Sequence, residues 1–220
     1  MEKIKLFFNP KSVAFYGASE REGALGHTVL ANLLEGKEKR QIYLINPTKE
    51  KVMDIRCYSS IAVLPEVPDL VVIATAADTV PDIVEDCGKF GVKAVVIISA
   101  GFKEAGEKGK EREVKITETV KKYGMRVMGP NCLGVIRPSA GLNATFARKM
   151  PKPGKIAFLS QSGALGTSVL DWAFSRDIGF SAFVSLGTML DIDFGDLIDF
   201  FGADPKQRVS SSTLNHLVTR

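Results

Sequence analysis

Two short segments of the chain have the residue types and neighbours of a phosphate-binding turn. The first, Gly17-Ala18-Ser19, lies between an apolar run at 12–16 and a segment at 26–34 whose apolar residues recur at helical spacing. The N–H groups of a turn that opens a helix have no acceptor within that helix, so they attract anions. The pattern therefore predicts a nucleotide-like ligand at the end of the first strand.

The glycines around this turn differ from the dinucleotide-binding fingerprint. That fingerprint is G-x-G-x-x-G with an acidic residue about 20 residues further on, whereas the glycines after Gly17 are spaced differently. A predicted second strand at 41–45 ends in Asn46-Pro47-Thr48-Lys49, which offers a cation in place of the carboxylate. A cation suits a phosphorylated ribose, as in NADP or coenzyme A, but Lys49 is equally well explained as a solvated surface lysine.

The second segment is Ser160-Gln161-Ser162-Gly163, at the start of a predicted helix at 164–174. Its two hydroxyl groups, its glycine and the unpaired N–H groups of the helix start form a second candidate phosphate site. It does not match the G-x-S-x-G elbow of hydrolases, because a serine stands where the first glycine is required. Neither histidine of the chain, His27 or His216, lies close to it in sequence, so we assign no catalytic residue.

Alternating strands and helices must position these two segments. Further apolar runs at 69–75, 93–99 and 126–128 have the length of buried strands, and helical segments with glycine stops separate them. This order predicts an α/β fold, a Rossmann-like doubly wound parallel sheet with helices on both faces. Ligands of such sheets bind beyond the carboxyl ends of the strands.

The same rule predicts that the segments following the strands meet at one edge of the sheet. These segments are 17–20, 46–49, 74–77, 98–101 and 129–132. Each of them, taken alone, is better explained as an ordinary turn, with the exception of the glycine turn after the first strand.

The sequence pattern changes between residues 141 and 153, where closely spaced prolines and a glycine are typical of a linker. We predict one domain at 1–145 and the start of a second α/β domain at 151–205. The second unit has two predicted strands and two helices, which form too small a core to be stable alone. Residues 206–220 lack the apolar run of a further strand, so we predict a disordered or unrelated tail there.

The composition argues against several classes of protein. Of the 220 residues, 45% are hydrophobic and 25% are charged, which is typical of an ordinary soluble globular protein. The net charge of +4 comes without a basic cluster and argues against nucleic-acid binding, and the apolar runs are too short to span a membrane. The three cysteines lack the spacing of metal ligands, so we predict buried free thiols in a reducing cytoplasm and no metal site.

Motifs spread over residues 1–205 resemble those of the NDP-forming acyl-CoA synthetases. This family includes the ADP-forming acetyl-CoA synthetase α subunits and, more distantly, the succinyl-CoA synthetase α subunit. The matching stretches, in the family's order, include VAFYGAS, LINPTKE, LVVIATA, VVIISAGFKEAGEKG, RVMGPNCLG and PGKIAFLSQSGALG. The resemblance implies a CoA-binding Rossmann-like domain, followed by the first part of a succinyl-CoA synthetase-like flavodoxin-type domain and an unmatched tail.

The resemblance also implies a role for each residue at the predicted sheet edge, with coenzyme A as the cofactor. The glycine turn would hold the CoA phosphates, Lys49 the phosphorylated ribose, the third and fourth strand ends the pantetheine arm, and Asn131 the thiol end. The residues expected at coenzyme A are Gly17, Ala18, Ser19, Glu20, Asn46, Pro47, Lys49, Ala74, Thr75, Ala76, Ser99, Ala100, Gly101 and Asn131. Ser160, Gln161, Ser162 and Gly163 would face the phosphate of a phosphohistidine intermediate.

Two parts of the family's machinery are missing from the matching sequence. The family's phosphorylated histidine lies further along the second domain, and His216 lacks its small-residue context. The ATP-grasp part is also missing, so ATP or ADP and Mg would act only through a partner, such as an ATP-grasp β-type subunit in an oligomer. The resemblance thus implies binding of CoA or acyl-CoA without turnover by this chain alone.

Three functions remain open on the sequence. The first is the CoA-binding portion of an acyl-CoA synthetase, whose complete reaction converts acyl-CoA, ADP and phosphate to acid, CoA and ATP. The second is a stand-alone, non-catalytic CoA-binding protein, for which a second phosphate site would have no use. The third, an NADP-dependent oxidoreductase, is disfavoured by the missing glycine pattern.

Overall fold

Two sheets form the framework of the protein in a computed structural model, which describes residues 2–203 and the backbone of residues 208–211. The first sheet has seven strands within this part of the chain. They are β1 (Ser12–Tyr16), β2 (Gln41–Ile45), β3 (Lys51–Val52), β4 (Ile55–Tyr58), β5 (Leu70–Ile73), β6 (Ala94–Ile97) and β7 (Arg126–Met128). Their spatial order is β3-β4-β2-β1-β5-β6-β7, and all neighbours are parallel except β3 and β4.

This order confirms the predicted doubly wound parallel sheet. Strand β1 lies between β2 and β5, so the chain winds outward first on one side of β1 and then on the other. The point where the direction reverses is where such sheets bind ligands. The glycine turn directly follows β1 and therefore lies at this point.

Four helices cover the two faces of the first sheet. They are α1 (Glu2–Phe8), α2 (Leu25–Leu34), α3 (Val80–Phe90) and α4 (Glu107–Tyr123), with short 3-10 turns at Lys37–Lys39, Ile61–Val63, Ala77–Thr79 and Lys103–Ala105. Alternate strand residues face opposite ways, so Phe15 packs with α1 and α2 while Ala14 packs with α3 and α4. Gly91 and Gly124 end α3 and α4 in the left-handed conformation, with φ of 100° and 61°.

The second sheet has five strands within the described residues. They are β8 (Gly134–Arg137), β9 (Leu142–Thr145), β10 (Pro153–Ser160), β11 (Phe180–Ser185) and β12 (Arg208–Ser211), accompanied by a 3-10 turn at Pro138–Ala140 and by α5 (Gly163–Ser175) and α6 (Phe194–Gly202). Their order is β12-β10-β11-β8-β9; β10 is parallel to β11 and β12, and β8 is antiparallel to β11 and β9. The β8–β9 hairpin precedes the predicted linker but pairs with strands that follow it. The division into domains at 1–145 and 151–205 stays a prediction.

The expectation of no strand after residue 205 is wrong for four residues. The backbone of Arg208–Ser211 pairs with β10 at the edge of the second sheet. Edge pairing depends on main-chain hydrogen bonds, which a polar sequence can make without an apolar run. The rest of the predicted tail, including His216, lies outside the described residues.

The second sheet shares its core with the first. One cluster of buried side chains joins Phe8 of α1 and Leu30 of α2 to Val135, Leu159 and Phe201 of the second region. Hydrogen bonds across this contact include those from Asn32 Nδ2 to the carbonyl oxygens of Thr145 and Ala147, both at 2.8 Å. The second sheet thus packs onto α1 and α2, which enlarges a core that its own elements leave small.

No helix in the described part of the chain is both long and apolar enough to cross a membrane.

Candidate functional site

The turn after β1 is shaped by glycines that allow a very close approach of backbones. Gly17 has φ of 103°, and a Cβ there would clash with the carbonyl oxygen of Ala74 at the end of β5. A Cβ on Gly26, in the first turn of α2, would clash with the carbonyl oxygen of Gly17. The turn is therefore packed tightly between the start of α2 and the end of β5.

The same turn leaves main-chain donors available. Within residues 2–203, the N–H groups of Ala18, Ser19 and Glu20 have no hydrogen-bond acceptor. Ser19 Oγ accepts a hydrogen bond from the N–H of Arg21 at 3.2 Å, which fixes the loop beyond. Three consecutive donors beside a helix start can bind an anion.

The loop after β2 is organised by one side chain. Asn46 Oδ1 accepts hydrogen bonds from the N–H groups of Thr48 and Lys49 and from Thr48 Oγ1, each at 3.0 Å. The side-chain oxygen of Asn46, a predicted ligand contact, thus shapes the loop. The loop brings Lys49 Nζ to 3.6 Å from the carboxylate of Glu20, and both side chains are about half exposed. Asn46, Pro47 and Lys49 line a small cavity of about 280 Å³.

The loops after β5 and β6 are tied to each other and to α4. Ser99 Oγ donates to the carbonyl oxygen of Thr75 at 2.6 Å, and Arg112 of α4 donates to the carbonyl oxygen of Gly101 at 2.7 Å. The N–H of Gly101 donates to Glu104 Oε1 at 2.7 Å. Burial alone would raise the pKa of the Glu104 carboxyl, but hydrogen bonds from nearby N–H groups leave that pKa below its ordinary value.

A larger cleft of about 850 Å³ lies between the two regions of the molecule. The predicted site residues that line it come from both regions: Ala74, Thr75, Ser99, Ala100, Asn131, Gln161, Ser162 and Gly163. The other predicted residues do not line it: Gly17, Ala18, Ser19, Glu20, Asn46, Pro47, Lys49, Ala76, Gly101 and Ser160. Leu25, the first residue of α2 and the neighbour of Gly26, also lines the cleft, so the cleft meets the start of α2.

The second candidate phosphate segment opens α5 at one wall of this cleft. Ser162 Oγ caps the helix by accepting a hydrogen bond from the N–H of Leu165 at 3.2 Å. Ser160 is buried, and its Oγ accepts from the N–H of Ser162 at 3.1 Å, so it shapes the turn. In the described residues the N–H groups of Gly163 and Ala164 have no acceptor, and both residues line the cleft. The positive end of α5 therefore faces the cleft.

Main-chain contacts hold the two walls of the cleft together. The segment 187–192 after β11 runs along β7, where the N–H groups of Leu190 and Ile192 donate to the carbonyl oxygens of Gly129 and Val127 at 3.0 and 3.1 Å. A Cβ on Gly187 would clash with the carbonyl oxygen of Pro130.

An ion-pair cluster strengthens the same junction. Arg126 binds the carboxylates of Asp191, at 2.9 Å, and Asp196, at 2.6 Å. Burial alone would lower the pKa of Arg126, but the two carboxylates raise it above its ordinary value. The guanidinium therefore stays charged at the join between the two regions.

The thiol nearest the cleft is a poor nucleophile. Burial raises the pKa of Cys132 to about 12, and its Sγ lies 3.3 Å from the carbonyl oxygen of Ile97. Cys57 and Cys87 are also buried and unpaired. Among the described residues, no group of three His, Cys, Asp or Glu side chains could hold a metal ion.

Several residues around the two cavities were not anticipated from the sequence. Lys103 and Phe146 line the larger cleft, and Arg56 lines the smaller one. Lys103 lies in the glycine-rich stretch after the fourth predicted strand, so its place in the sequence indicates that it is close to the ligand edge of the sheet. Arg56 and Phe146 carry no such signal, because their place depends on how the β3–β4 and β8–β9 hairpins fold.

Two family models match the chain. One, described as a CoA binding domain, matches residues 11–138, and the other, described as a succinyl-CoA ligase like flavodoxin domain, matches residues 153–218. The second match extends beyond residue 205 and so overlaps most of the predicted tail at 206–220, which is therefore not unmatched.

The chain is also similar to curated and solved proteins. It is 43% identical over 209 residues to the acetate–CoA ligase [ADP-forming] I subunit alpha of Pyrococcus furiosus, covering 93% of this chain and 45% of that protein. It is 44% identical over 181 residues to the 4-hydroxybutyrate–CoA ligase [ADP-forming] of Nitrosopumilus maritimus, covering 81% of this chain and 26% of that protein. The chain thus spans less than half the length of these relatives.

Solved structures show the same similarity. A crystal structure of a protein from Pyrococcus horikoshii OT3 superposes with a TM-score of 0.91 at 41% identity, covering 96% of this chain and 49% of that one. The dinucleotide forming acetyl-coenzyme A synthetase 1 of Ca. Korarchaeum cryptofilum, in complex with phosphate and ADP, superposes with a TM-score of 0.90 at 40% identity, covering 96% and 45%.

Proposed function

The chain belongs to the NDP-forming acyl-CoA synthetase family, with a CoA binding domain followed by a succinyl-CoA ligase like flavodoxin domain, and on this premise we propose that it binds coenzyme A across the carboxyl edge of its first sheet. The ligand would extend from the small cavity beside β2, past the glycine turn, into the larger cleft. Its adenosine end would lie near Lys49 and its thiol end near Asn131.

The composition of the larger cleft supports this function most directly. The ends of β5 and β6, the expected pantetheine path, share one cleft with the N–H groups of Gly163 and Ala164 at the start of α5. A thiol delivered along the first wall would therefore arrive beside an anion-binding helix start on the second. A binding module without catalysis has no need of that second wall.

The remaining subsites follow from the unpaired donors and the cations. The N–H groups of Ala18, Ser19 and Glu20 would bind the CoA pyrophosphate, since they have no acceptor in the described part of the protein. Lys49 would meet the phosphorylated ribose. Gly101 and Ala76 would act indirectly, by fixing the loops that carry Ala100 and Thr75.

For the complete enzyme we propose the reversible conversion of acyl-CoA, ADP and phosphate to acid, CoA and ATP, through an acyl phosphate and a phosphohistidine. The start of α5 would stabilise the charge of the phosphate while it is on the histidine. That histidine, and an ATP-grasp part that binds the nucleotide and Mg, would come from other segments or from a β-type partner subunit.

A calorimetric titration of the chain with CoA tests the proposal, with dephospho-CoA and NADPH as parallel ligands. We expect saturable binding of CoA, weaker binding of dephospho-CoA and no binding of NADPH. Binding of NADPH without binding of CoA would instead favour an oxidoreductase and overturn the proposal.

A further inference from the structure

We propose that Arg56 is the second cation of the phosphorylated-ribose subsite and the residue that chiefly distinguishes a 3′-phosphorylated nucleotide from its dephosphorylated form. This inference rests on the proposed function, because it concerns the adenosine end of the same ligand. Arg56 lies in β4 and would act beside Lys49.

The two cations face one small cavity from different elements. Lys49 comes from the loop after β2 and Arg56 from β4, and both line the cavity of about 280 Å³ together with Pro47 and Val63. Glu50 lines it as well, so the cavity carries two cations and one carboxylate. The three hydrogen bonds to Asn46 Oδ1 hold the loop that presents Lys49.

The guanidinium of Arg56 packs against one ring of an aromatic pair. Its guanidinium lies over the ring of Tyr58, 5.0 Å from the centroid. The ring of Tyr58 packs edge to face with Tyr43, at 5.8 Å between centroids, and the Tyr43 hydroxyl donates to Glu66 at 2.9 Å. Arg56 is exposed, and its contact with the Tyr58 ring favours a guanidinium position beside the cavity, which lowers the entropy that a ligand must remove on binding.

The charge of Arg56 is less compensated than that of Lys49. Lys49 Nζ lies 3.6 Å from the carboxylate of Glu20, whereas no carboxylate of residues 2–203 lies within 4.0 Å of the Arg56 guanidinium. In the β3–β4 ladder, Lys51 stands directly opposite Arg56. Like charges opposite each other destabilise a sheet, and an anion bound nearby would relieve that repulsion.

The chemistry of the two cations suits a phosphate monoester. Such a group carries nearly two negative charges at neutral pH. A guanidinium can donate two parallel hydrogen bonds to it, while an ammonium acts as a point charge. Because Glu20 already neutralises part of the charge of Lys49, we assign the larger share of the discrimination to Arg56.

The test compares the affinities of four variants for CoA and dephospho-CoA by calorimetry. Arg56→Ala removes the proposed contact, Arg56→Lys keeps the charge without the two parallel hydrogen bonds, and Lys49→Ala removes the other cation. Lys51→Ala is the matched control, because it removes a cation from the opposite position of the same hairpin, outside the cavity lining. Circular dichroism checks that each variant folds.

We expect Arg56→Ala to weaken CoA binding about tenfold and dephospho-CoA binding less than twofold. Arg56→Lys and Lys49→Ala should each reduce the preference for CoA by a smaller factor, and Lys51→Ala should leave it within twofold of the unmodified chain. An unchanged preference in Arg56→Ala, or an equal loss in Lys51→Ala, would overturn the inference while CoA binding itself persists. If the unmodified chain does not bind CoA, the proposed function fails, and this inference fails with it.

Discussion

The two sheets of the molecule are built by different means. The first is assembled from successive strand–helix units, and each of its strands β1, β2, β5 and β6 is an apolar run with a partner nearby in the chain order. The second takes a hairpin from before the linker, two strands from after it and a core completed by α1 and α2. The second sheet therefore needs helices of the first region to complete its core, and the two regions share one cluster of buried side chains.

This difference places the candidate cleft at a contact that both regions must form. One wall is made by the first sheet's strand ends and the other by the start of α5. If the two regions separated, the first would keep its glycine turn, but the cleft would be lost. Four predictions test how far this dependence extends, from the largest expected effect to the smallest.

The shared core is the strongest point of the contact. Phe8 of α1 is 2% exposed, and its ring lies 4.8 Å from that of Phe201 in α6. We expect Phe8→Ala to lower the free energy of unfolding by about 3–5 kcal/mol, because it opens a cavity between the regions. Urea unfolding followed by circular dichroism measures the loss, and amide hydrogen exchange reports on each sheet separately.

Both sheets should lose protection together in Phe8→Ala. The control is Phe174→Ala in α5, where the residue is 38% exposed and the expected loss is much smaller. If the second sheet opened alone while the first kept its full stability, the two regions would be joined more loosely than the shared core indicates.

A negative charge introduced at the glycine turn should weaken CoA binding without affecting the second region. Ser19→Asp would place a carboxylate beside the unpaired N–H groups of Ala18 and Glu20, where it competes with and repels a phosphate. We expect CoA affinity to fall by about two orders of magnitude at nearly unchanged stability.

Calorimetry on Ser19→Asp and on Ser168→Asp tests this expectation. Ser168 is exposed on α5 and offers the same substitution away from the turn. CoA affinity equal to that of the unmodified chain in Ser19→Asp would show that the phosphates bind elsewhere.

The Arg126 cluster should contribute a moderate amount to the join. Arg126→Gln would leave Asp191 and Asp196 without their cation in a partly buried site. We expect the free energy of unfolding to fall by about 1–3 kcal/mol. The control Lys110→Gln removes an exposed ion pair with Glu107 and should cost about 0–1 kcal/mol. Equal effects of the two substitutions would show that the cluster is no more than a surface pair.

The smallest expected effect concerns the contact between α3 and α4. Hydrogen bonds from Lys122 and Tyr123 of α4 lower the pKa of Glu85 in α3 to about 2. Because the folded pKa lies below the unfolded one, this carboxylate stabilises the fold above about pH 4.5, and the contribution disappears as the pH falls towards 2. The stability difference between the unmodified chain and Glu85→Gln should shrink over that interval, and a constant difference would contradict the assignment.

The sequence was sufficient for strands β1, β2, β5, β6 and β7 of the first sheet and for the position of the turns at its edge, but it did not predict β3 and β4. The apolar runs, the glycine stops and the turn after β1 are local signals, and local signals determine a parallel sheet with short connections. The expectation of two segments that bind phosphate follows from the same kind of signal, and their assignment to ligands stays a prediction.

Non-local contacts explain what was missed. Residues 134–145 form a hairpin whose partner, β11, lies far along the chain, so no nearby pattern indicates that it belongs to the second sheet. Strand β12 pairs through its main chain and needs no apolar run. Arg56 and Phe146 reach their cavities only after such hairpins have folded.

The hairpin at 134–145 determines where this chain could be recombined with a relative. In the sequence it directly follows the strands of the first sheet, but in space it completes the second sheet. A recombination event at the linker near residue 150 would pair a hairpin from one parent with β11 from another, at a contact where Val135 and Val184 are both fully buried. A boundary between β7 and β8 would instead keep the strands of each sheet together.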